Sequence, residues 1–402
     1  MSFVSSVPLC ESLNCGVIGL AMRGHVRYNN AESVAGMKEN RKIWFIAGFV
    51  LFAAYFFIAA RPIPVETVLI PCWLNSIESG TPTYLGAGNA SDGVPSPQRI
   101  PFNLGSRFGY ISRNGLLSIN QIKKANVSLS SERWAEYEAE PSRVAIYDSD
   151  GEPVTVIENP RGYPFFLDGR TFLIGGEQTV ISAIDEAGNA SWTYEFPSPL
   201  TCVDSAAGLV LVGSLDGVVG LLDNRGRQVF SFEPGGSRYS VILGCAISRD
   251  GSRMALISGI DSQRFLILEH FGPSASDYKV VYHEFLDDGF RRPVHVTFVE
   301  DDRWVVFERG GGLGFYDIHS RKSGKVELNG ELCAIDNSGG QGMVFAVISH
   351  SGNDKELIGI RLPGRVIIES SFRSDEVFLG RMDSRLIVGG GQIMAAFDLE
   401  KR

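Results

Sequence analysis

The sequence repeats with a period of about 41 residues, and no other feature constrains its fold so strongly. The two clearest copies are AIDEAGNASWTYEF at 183–196 and LLDNRGRQVFSFE at 221–233. Weaker or partial copies share the pattern of a strand, a turn and a second strand; they lie at 109–120, 146–158, 267–270, 315–328, 359–372 and 396–402. Corresponding strands therefore end about 36 to 48 residues apart, which is the spacing of four-stranded propeller blades.

The interior of each repeat also indicates β-structure. Short β-branched and aromatic runs alternate with Gly, Asp-Gly and Asn-Gly turns, which is typical of consecutive hairpins. Glycine makes up 46 of the 402 residues, and no long stretch has the 3.6-residue period of a helix. Each repeat therefore predicts a short strand A, a hairpin of strands B and C, and an outer strand D.

The two ends of the repeat region predict a closed ring. The chain ends on a strand at 394–397, and the first copy supplies an unpartnered strand near 116–122. Pairing these strands would complete a seventh blade and hide the edges that a row of blades exposes. The predicted fold class is all-β, a seven-bladed β-propeller of four-stranded blades over residues 106–402; an open β-solenoid is the alternative.

A long apolar run precedes the repeats. Residues 43–60 (IWFIAGFVLFAAYFFIAA) contain no charge and predict one N-terminal transmembrane helix before the propeller. Lys38, Arg41 and Lys42 stand on its N-terminal side, so residues 1–42 are predicted to be a cytoplasmic tail and the rest extracytoplasmic. A cleaved signal peptide is the alternative. A start at Met37 would leave residues 1–36 untranslated.

The stretch between the apolar run and the repeats is rich in proline. Residues 61–105 hold seven of the 18 prolines and include GTPTYLGAGNASDG, which has no period. Such a composition is typical of a semi-extended segment, so a linker is predicted there.

The repeats resemble a known family at specific residues. Residues 212–232 (VGSLDGVVGLLDNRGRQVFSF) and 174–196 are similar to the pyrroloquinoline-quinone-like β-propeller repeat, with Trp192 in its aromatic position. CAISRDGSRMALIS at 245–258 resembles WD40 or TolB-type blades. The resemblance implies a propeller. It also implies either scaffolding, as in the outer-membrane assembly lipoprotein BamB, or alcohol or sugar oxidation, as in the quinoproteins.

The sequence contains no group of residues with the spacing of a catalytic or metal-binding site. The five histidines after residue 269 lack the spacing of metal ligands, and no adjacent cysteines occur. Cys202, Cys245 and Cys333 share one phase of strand A, which predicts buried free thiols. No catalytic, cofactor-binding or metal-binding residues are predicted, and no cofactor.

One insertion stands out as a candidate binding loop. The longest repeats hold HFGPSASDYK at 270–279 and HEFLDDGFRRPVH at 283–295. The second combines an aromatic residue with arginine, a composition common at interaction hot spots. The predicted partner-binding residues are His283, Asp287, Asp288, Phe290, Arg291 and Arg292; an ordinary solvated connector is the alternative.

These observations predict a membrane-tethered, non-enzymatic scaffold that binds envelope proteins, in a bacterial inner membrane with the propeller in the periplasm. A quinone- or metal-dependent oxidoreductase is one alternative, and a carbohydrate-binding or envelope-sensing module is another. The net charge of -9 argues against a nucleic-acid partner.

Overall fold

The computed structural model describes residues 44–55, 66–85, 98–287, 289–336 and 338–401. The chain divides into two compact units, Met1–Pro64 and Val65–Arg402.

In the first unit, residues 44–55 form a helix whose side chains are mostly exposed. None of the helices in the described residues is long and apolar enough to cross a membrane. The transmembrane helix predicted over residues 43–60 is therefore not found within the described residues. Residues 43 and 56–60 of that prediction, and the tail predicted at 1–42, lie outside them.

The second unit is a β-propeller, as predicted, but its described strands form eight sheets rather than seven. Blades 1 to 3 comprise β3 (Arg99–Leu104), β4 (Arg107–Ser112), β5 (Leu117–Ile122); β6 (Asn126–Leu129), β7 (Arg133–Tyr137), β8 (Arg143–Asp148), β9 (Pro153–Glu158); and β10 (Tyr163–Leu167), β11 (Arg170–Ile174), β12 (Val180–Ile184), β13 (Ala190–Glu195). Blades 4 and 5 comprise β14 (Leu200–Ala206), β15 (Leu209–Ser214), β16 (Val219–Leu222), β17 (Gln228–Phe232); and β18 (Ile242–Ile247), β19 (Arg253–Ser258), β20 (Arg264–His270), β21 (Tyr278–Phe285).

The remaining blades complete the ring. Blades 6 and 7 comprise β22 (Val296–Val299), β23 (Trp304–Arg309), β24 (Gly312–Asp317), β25 (Lys322–Glu327); and β26 (Glu331–Ile335), β27 (Met343–Ser351), β28 (Asp354–Arg361), β29 (Arg365–Arg373). Blade 8 comprises β30 (Val377–Met382), β31 (Arg385–Gly390) and β32 (Ile393–Lys401), joined by β1 (Thr67–Ser76) and β2 (Pro82–Tyr84). In blades 2 to 7 the four strands run A to D in chain order; in blade 8, β1 takes position D.

Ring closure uses a different strand from the predicted one, and this explains the blade count. The C-terminal β32 pairs antiparallel with β1, from Thr67 opposite Lys401 to Ser76 opposite Ile393. The copy at 109–120, which we expected to fill that position, instead belongs to β4 and β5 of a separate blade 1. Because the prediction assigned this copy to the last blade as its missing strand, it treated two blades as one and gave seven blades instead of eight.

The closing strand lies inside the predicted linker at 61–105, as do β2 and β3, so the propeller begins well before residue 106. Proline is tolerated at irregularities of a ladder. The β1–β32 register shifts between Pro71 and Trp73, which lets β1 carry a proline and still pair on both sides of it.

Apolar side chains fill the spaces between neighbouring blades. At the junction of blades 3 and 4, Phe172 and Ile181 are fully buried in one cluster with Val210 and Val212. Trp192 packs beside these residues. Its ring also lies close to Gly226 of blade 4, since a Cβ on that glycine would be 2.7 Å from the ring. This aromatic residue of the repeat therefore joins adjacent blades.

Candidate functional site

One face of the ring carries several exposed apolar side chains. In an antiparallel four-stranded sheet, the B–C turn and the connector that leaves strand D lie at one end, and the A–B and C–D turns at the other. We call the first end, taken over all blades, the connector face. In blades 2 to 8, five exposed large apolar residues lie at this end of their sheets: Tyr163, Leu215, Tyr239, Phe285 and Ile393. Three others lie on outer strands: Leu74, Tyr84 and Val280. The opposite face carries Val154 and Phe271.

Three of these five residues belong to neighbouring elements of blades 4 and 5. Leu215 lies in the B–C turn of blade 4, Tyr239 in the connector 233–241, and Phe285 at the end of β21; they are 51%, 60% and 58% exposed. The turn and the connector are in contact, since a Cβ on Gly217 would lie 2.4 Å from Ser240. These elements therefore form one continuous surface, which we call the blade 4–5 patch.

Polar contacts hold the connector 233–241 in place. The Ser237 hydroxyl and the Arg238 backbone N–H both donate to the Asp261 carboxylate in the B–C turn of blade 5. The Ser237 hydrogen bond is the main reason that the pKa of Asp261 is lowered. Because the carboxylate is held as an anion beside two donors, the connector that carries Tyr239 is fixed to blade 5.

Arg264 links this connector to Phe285. Its guanidinium donates to the carbonyl oxygens of Pro234, at 3.1 Å, and Gly235. The same guanidinium lies 5.5 Å from the centre of the Phe285 ring, a cation–π distance. His283 meets the ring edge-on, with the ring centres 6.3 Å apart. Phe285 is thus positioned by neighbours while more than half of it faces solvent.

The predicted binding loop, residues 283–295, contains Phe285 and continues into the connector 286–295 that leads to blade 6. Its half-buried Phe290 packs against the core between blades 5 and 6. The Arg292 guanidinium lies 4.5 Å from the centre of the Phe290 ring and makes two hydrogen bonds with Glu308, at 2.6 and 3.1 Å. Glu308 is only 4% exposed, and its hydrogen bond raises the pKa of Arg292. A charge-assisted bidentate pair of this kind fixes the loop to blade 6.

A second ion pair holds the start of the loop. Asp287 is exposed, and its carboxylate lies 3.3 Å from a guanidinium nitrogen of Arg309, whose side chain is 11% exposed. A second nitrogen of Arg309 lies 3.9 Å from Glu284. A cavity of about 320 Å³ opens beside these groups, between Phe290 and the B–C turn of blade 6.

The structure places the predicted loop residues in different surroundings. Phe290 and Arg292 anchor the loop through their contacts with the blade 5–6 core and with Glu308, although Arg292 is itself partly exposed. His283, Asp287 and Arg291 are exposed. Asp288 lies outside the described residues. Sequence reasoning missed three exposed residues, Leu215, Tyr239 and Phe285. Nothing in the sequence around these residues marks them, because single exposed apolar residues are common on protein surfaces. Only the fold brings the three residues together.

The cysteines agree only in part with the predicted buried thiols. Cys202, Cys245 and Cys333 do lie on A strands, in β14, β18 and β26. All are free thiols, but Cys245 is buried, Cys202 half-buried and Cys333 exposed. Cys333 sits where the β26–β27 register shifts between Leu332 and Ala334, so the bulge turns its side chain away from the core. Within the described residues, no three His, Cys, Asp or Glu side chains are grouped as metal ligands.

Comparison with known proteins agrees with this architecture. The profile of a family described as "beta-propeller protein" matches residues 34–401. The chain belongs to this family. A Treponema pallidum (strain Nichols) protein described as uncharacterized is 29% identical to this beta-propeller protein over 304 residues, which is 74% of this chain and 78% of that one.

Solved structures show the same fold. BamB from Moraxella catarrhalis has a TM-score of 0.55 at 12% identity and covers 82% of this chain and 100% of its own. The computationally designed Ika8 protein has a TM-score of 0.54 at 15% identity, covering 76% of this chain and 97% of its own. At these identities the likeness concerns the fold alone.

Proposed function

We propose that this beta-propeller protein is an interaction scaffold of the cell envelope, and that a partner protein docks on the blade 4–5 patch. The observation that carries the proposal is the patch itself: a leucine, a tyrosine and a phenylalanine are exposed on rigidly held connectors. Exposed aromatic residues beside arginine are the composition that dominates binding energy at protein interfaces.

Two further features support docking at this position. The patch belongs to the framework of the ring, because Arg264 and Asp261 fasten its connector, so a partner would meet a preorganised surface. Its rim carries exposed Arg238 and Arg291, which can hydrogen-bond to a partner. The fold-level likeness to BamB agrees with a scaffold but names no partner.

Site-specific photo-crosslinking tests the patch against a matched control. Phe285 and Phe271 are each 58% exposed but lie on opposite faces of the ring. A benzoylphenylalanine at position 285 or 239, installed in the full chain in its native host, is expected to give discrete adducts identifiable by mass spectrometry. The same group at position 271 is expected to give none of these adducts. Equal adducts at 271 and 285, or none at 285 and 239, would contradict docking at this patch.

We further propose that the propeller lies outside the cytoplasm and remains associated with the inner membrane through its N-terminal segment. The support is the uncharged run at 43–60 preceded by three basic residues. Protease added to spheroplasts should digest the propeller and leave a cytoplasmic control protein intact. A propeller that resists until the spheroplasts are lysed would reverse this topology.

A further inference from the structure

Two thiols meet at the junction of blades 4 and 5. Cys202 lies on β14 and Cys245 on β18, the inner strands of these blades. Both side chains belong to the apolar cluster that fills this junction. Neither thiol has a role in the candidate site.

Hydrogen bonds on both sides of the thiols set the two strands side by side. Ahead of Cys202, the Thr201 hydroxyl donates to the carbonyl oxygen of Ile242. Beyond Cys202, the backbone N–H of Ile247 donates to the Asp204 carboxylate at 2.8 Å. Since residues 201 and 204 are tied to 242 and 247, the segments that contain the two cysteines lie opposite each other.

Both side chains point into the junction. Cys202 pairs with Gly213 in the sheet, and a Cβ on Gly213 would lie 2.6 Å from the Cys202 sulfur and 2.5 Å from Ile242 of blade 5. The Cys245 sulfur, in turn, lies 4.0 Å from the carbonyl oxygen of Leu211 in blade 4. The Cys202 thiol, together with burial, raises the pKa of Cys245, which agrees with two sulfurs in direct interaction.

We propose that Cys202 and Cys245 form a reversible disulfide that joins blade 4 to blade 5. The oxidant is an external disulfide, either a small-molecule or a protein disulfide. The half-buried Cys202 attacks it first as the thiolate, forming a mixed disulfide and releasing one thiol. The buried Cys245 then loses its proton and attacks the Cys202 sulfur, releasing the second thiol. The two protons of the cysteines end on the two released thiols, and the external disulfide is reduced as the pair is oxidised.

The other described thiols differ from this pair. Cys333 is exposed, and its sulfur lies 3.7 Å from the Glu331 carbonyl of its own strand. Cys72 is buried, and its thiol hydrogen-bonds to the Asp398 carboxylate. Cys333 therefore serves as an internal control: the same oxidant should cap it without cross-linking it within the chain.

The bond would stiffen the part of the ring that carries the connector 233–241. That connector runs from β17 of blade 4 to β18 of blade 5, and it contains the exposed Arg238. Joining the inner strands of the two blades limits their separation, so trypsin should cut more slowly after Arg238. Closing a loop of roughly 40 residues should also raise the midpoint of thermal unfolding by several degrees. The proposal does not depend on the scaffold function.

Peptide mapping of the folded full-length protein provides the test. The protein is equilibrated with glutathione buffers from reducing to oxidising, trapped in acid, denatured and alkylated. Trypsin places Cys202 in the peptide 171–225, Cys245 in 239–249 and Cys333 in 326–355. The expected product is a cross-linked pair of 171–225 and 239–249, two hydrogens lighter than the separate peptides, that dithiothreitol releases. Cys333 should carry glutathione in the same samples.

The variants Cys202→Ser and Cys245→Ser should each abolish the cross-link and the rise in melting temperature, whereas Cys333→Ser should keep both. The proposal would be overturned if the wild-type protein leaves both cysteines fully alkylated in buffers that modify Cys333. A stable glutathione adduct on Cys202 with Cys245 still free would overturn it as well. Because these readouts are made on the wild-type chain, misfolding of a serine variant would not obscure the result.

Discussion

Replacing Trp73 with alanine tests ring closure at its tightest point. Trp73 lies on the closing strand β1 and is fully buried. Its indole N–H donates to the Arg113 carbonyl of blade 1 at 3.0 Å, so this one side chain joins blade 8 to blade 1. Removing a buried tryptophan costs about 3–5 kcal/mol through lost transfer energy and the cavity that remains.

The hydrogen bond adds little to that cost, because Arg385 also donates to the Arg113 carbonyl, at 2.9 Å, and keeps it satisfied. We therefore expect Trp73→Ala to lower the free energy of unfolding by about 4 kcal/mol. For a propeller of this size that corresponds to a fall of about 6 °C in Tm. Differential scanning calorimetry measures both quantities, with Trp73→Phe as a control that keeps most of the apolar volume and should lose less than half as much.

A double-mutant cycle makes the test specific to the contact. Gly115 has φ +84°, and a Cβ on it would lie 2.8 Å from the Trp73 ring. In the wild-type background, Gly115→Ala therefore adds backbone strain and a clash with the indole. In the Trp73→Ala background it still adds the strain, but the clash with the indole is gone. The two substitutions should couple by about 1 kcal/mol. A Trp73→Ala protein that melts within about 1 °C of wild type, rather than about 6 °C below it, would refute closure through β1. If the two substitutions change the free energy of unfolding by strictly additive amounts, the contact between Gly115 and the Trp73 ring is refuted.

Three further substitutions test other contacts. Asp336→Ala should cost about 3 kcal/mol by chemical denaturation, because it leaves the fully buried Arg381 guanidinium without its carboxylate, 3.2 Å away. Burial would raise the pKa of Asp398, but the hydrogen bonds from Arg385 and Cys72 and the charges of Arg385 and Arg113 together outweigh burial, so the pKa is lowered. Asp398 therefore stabilises the fold at neutral pH. Asp398→Asn should cost about 1 kcal/mol at pH 7, and the difference in Tm should shrink as the pH falls below about 4. Arg292→Ala should speed trypsin cleavage within the 286–295 loop several-fold.

Matched controls distinguish these effects from general damage. Asp375→Ala removes an exposed carboxylate and should change stability by less than about 0.5 kcal/mol. Arg249→Ala breaks the exposed pair with Asp301 and should leave cleavage of the loop unchanged. Equal pH dependence of wild type and Asp398→Asn would contradict the assigned role of Arg385.

The repeat could be predicted from the sequence because its signals are local. In the C–D turns of blades 2, 3 and 4, the carboxylates of Asp148, Asp185 and Asp223 accept hydrogen bonds from the backbone N–H groups two and four residues later. An aspartate, a glycine three residues on and a strand on either side are enough to build that turn. The same residue types therefore recur at each of these turns.

The blade count could not be predicted in this way. The last blade is divided between the two ends of the chain, and the pairing of Thr67 with Lys401 leaves no mark on the sequence near either residue. The candidate loop posed the same difficulty. Phe290 and Arg292 have the composition of an exposed hot spot, but the partner of Arg292 is Glu308, a buried residue of the next blade. Composition predicted the region, while long-range pairing decided which of its side chains face solvent.

The division of blade 8 between the chain ends also fixes the order of events during synthesis. A ribosome makes β1 first and its partner β32 last, so β1 waits through the production of every other blade. During that time its hydrogen-bonding edge is unpaired and Trp73 lacks its final surroundings, which is the kind of segment that holdase chaperones bind. The ring can therefore close only after β32 has emerged from the ribosome.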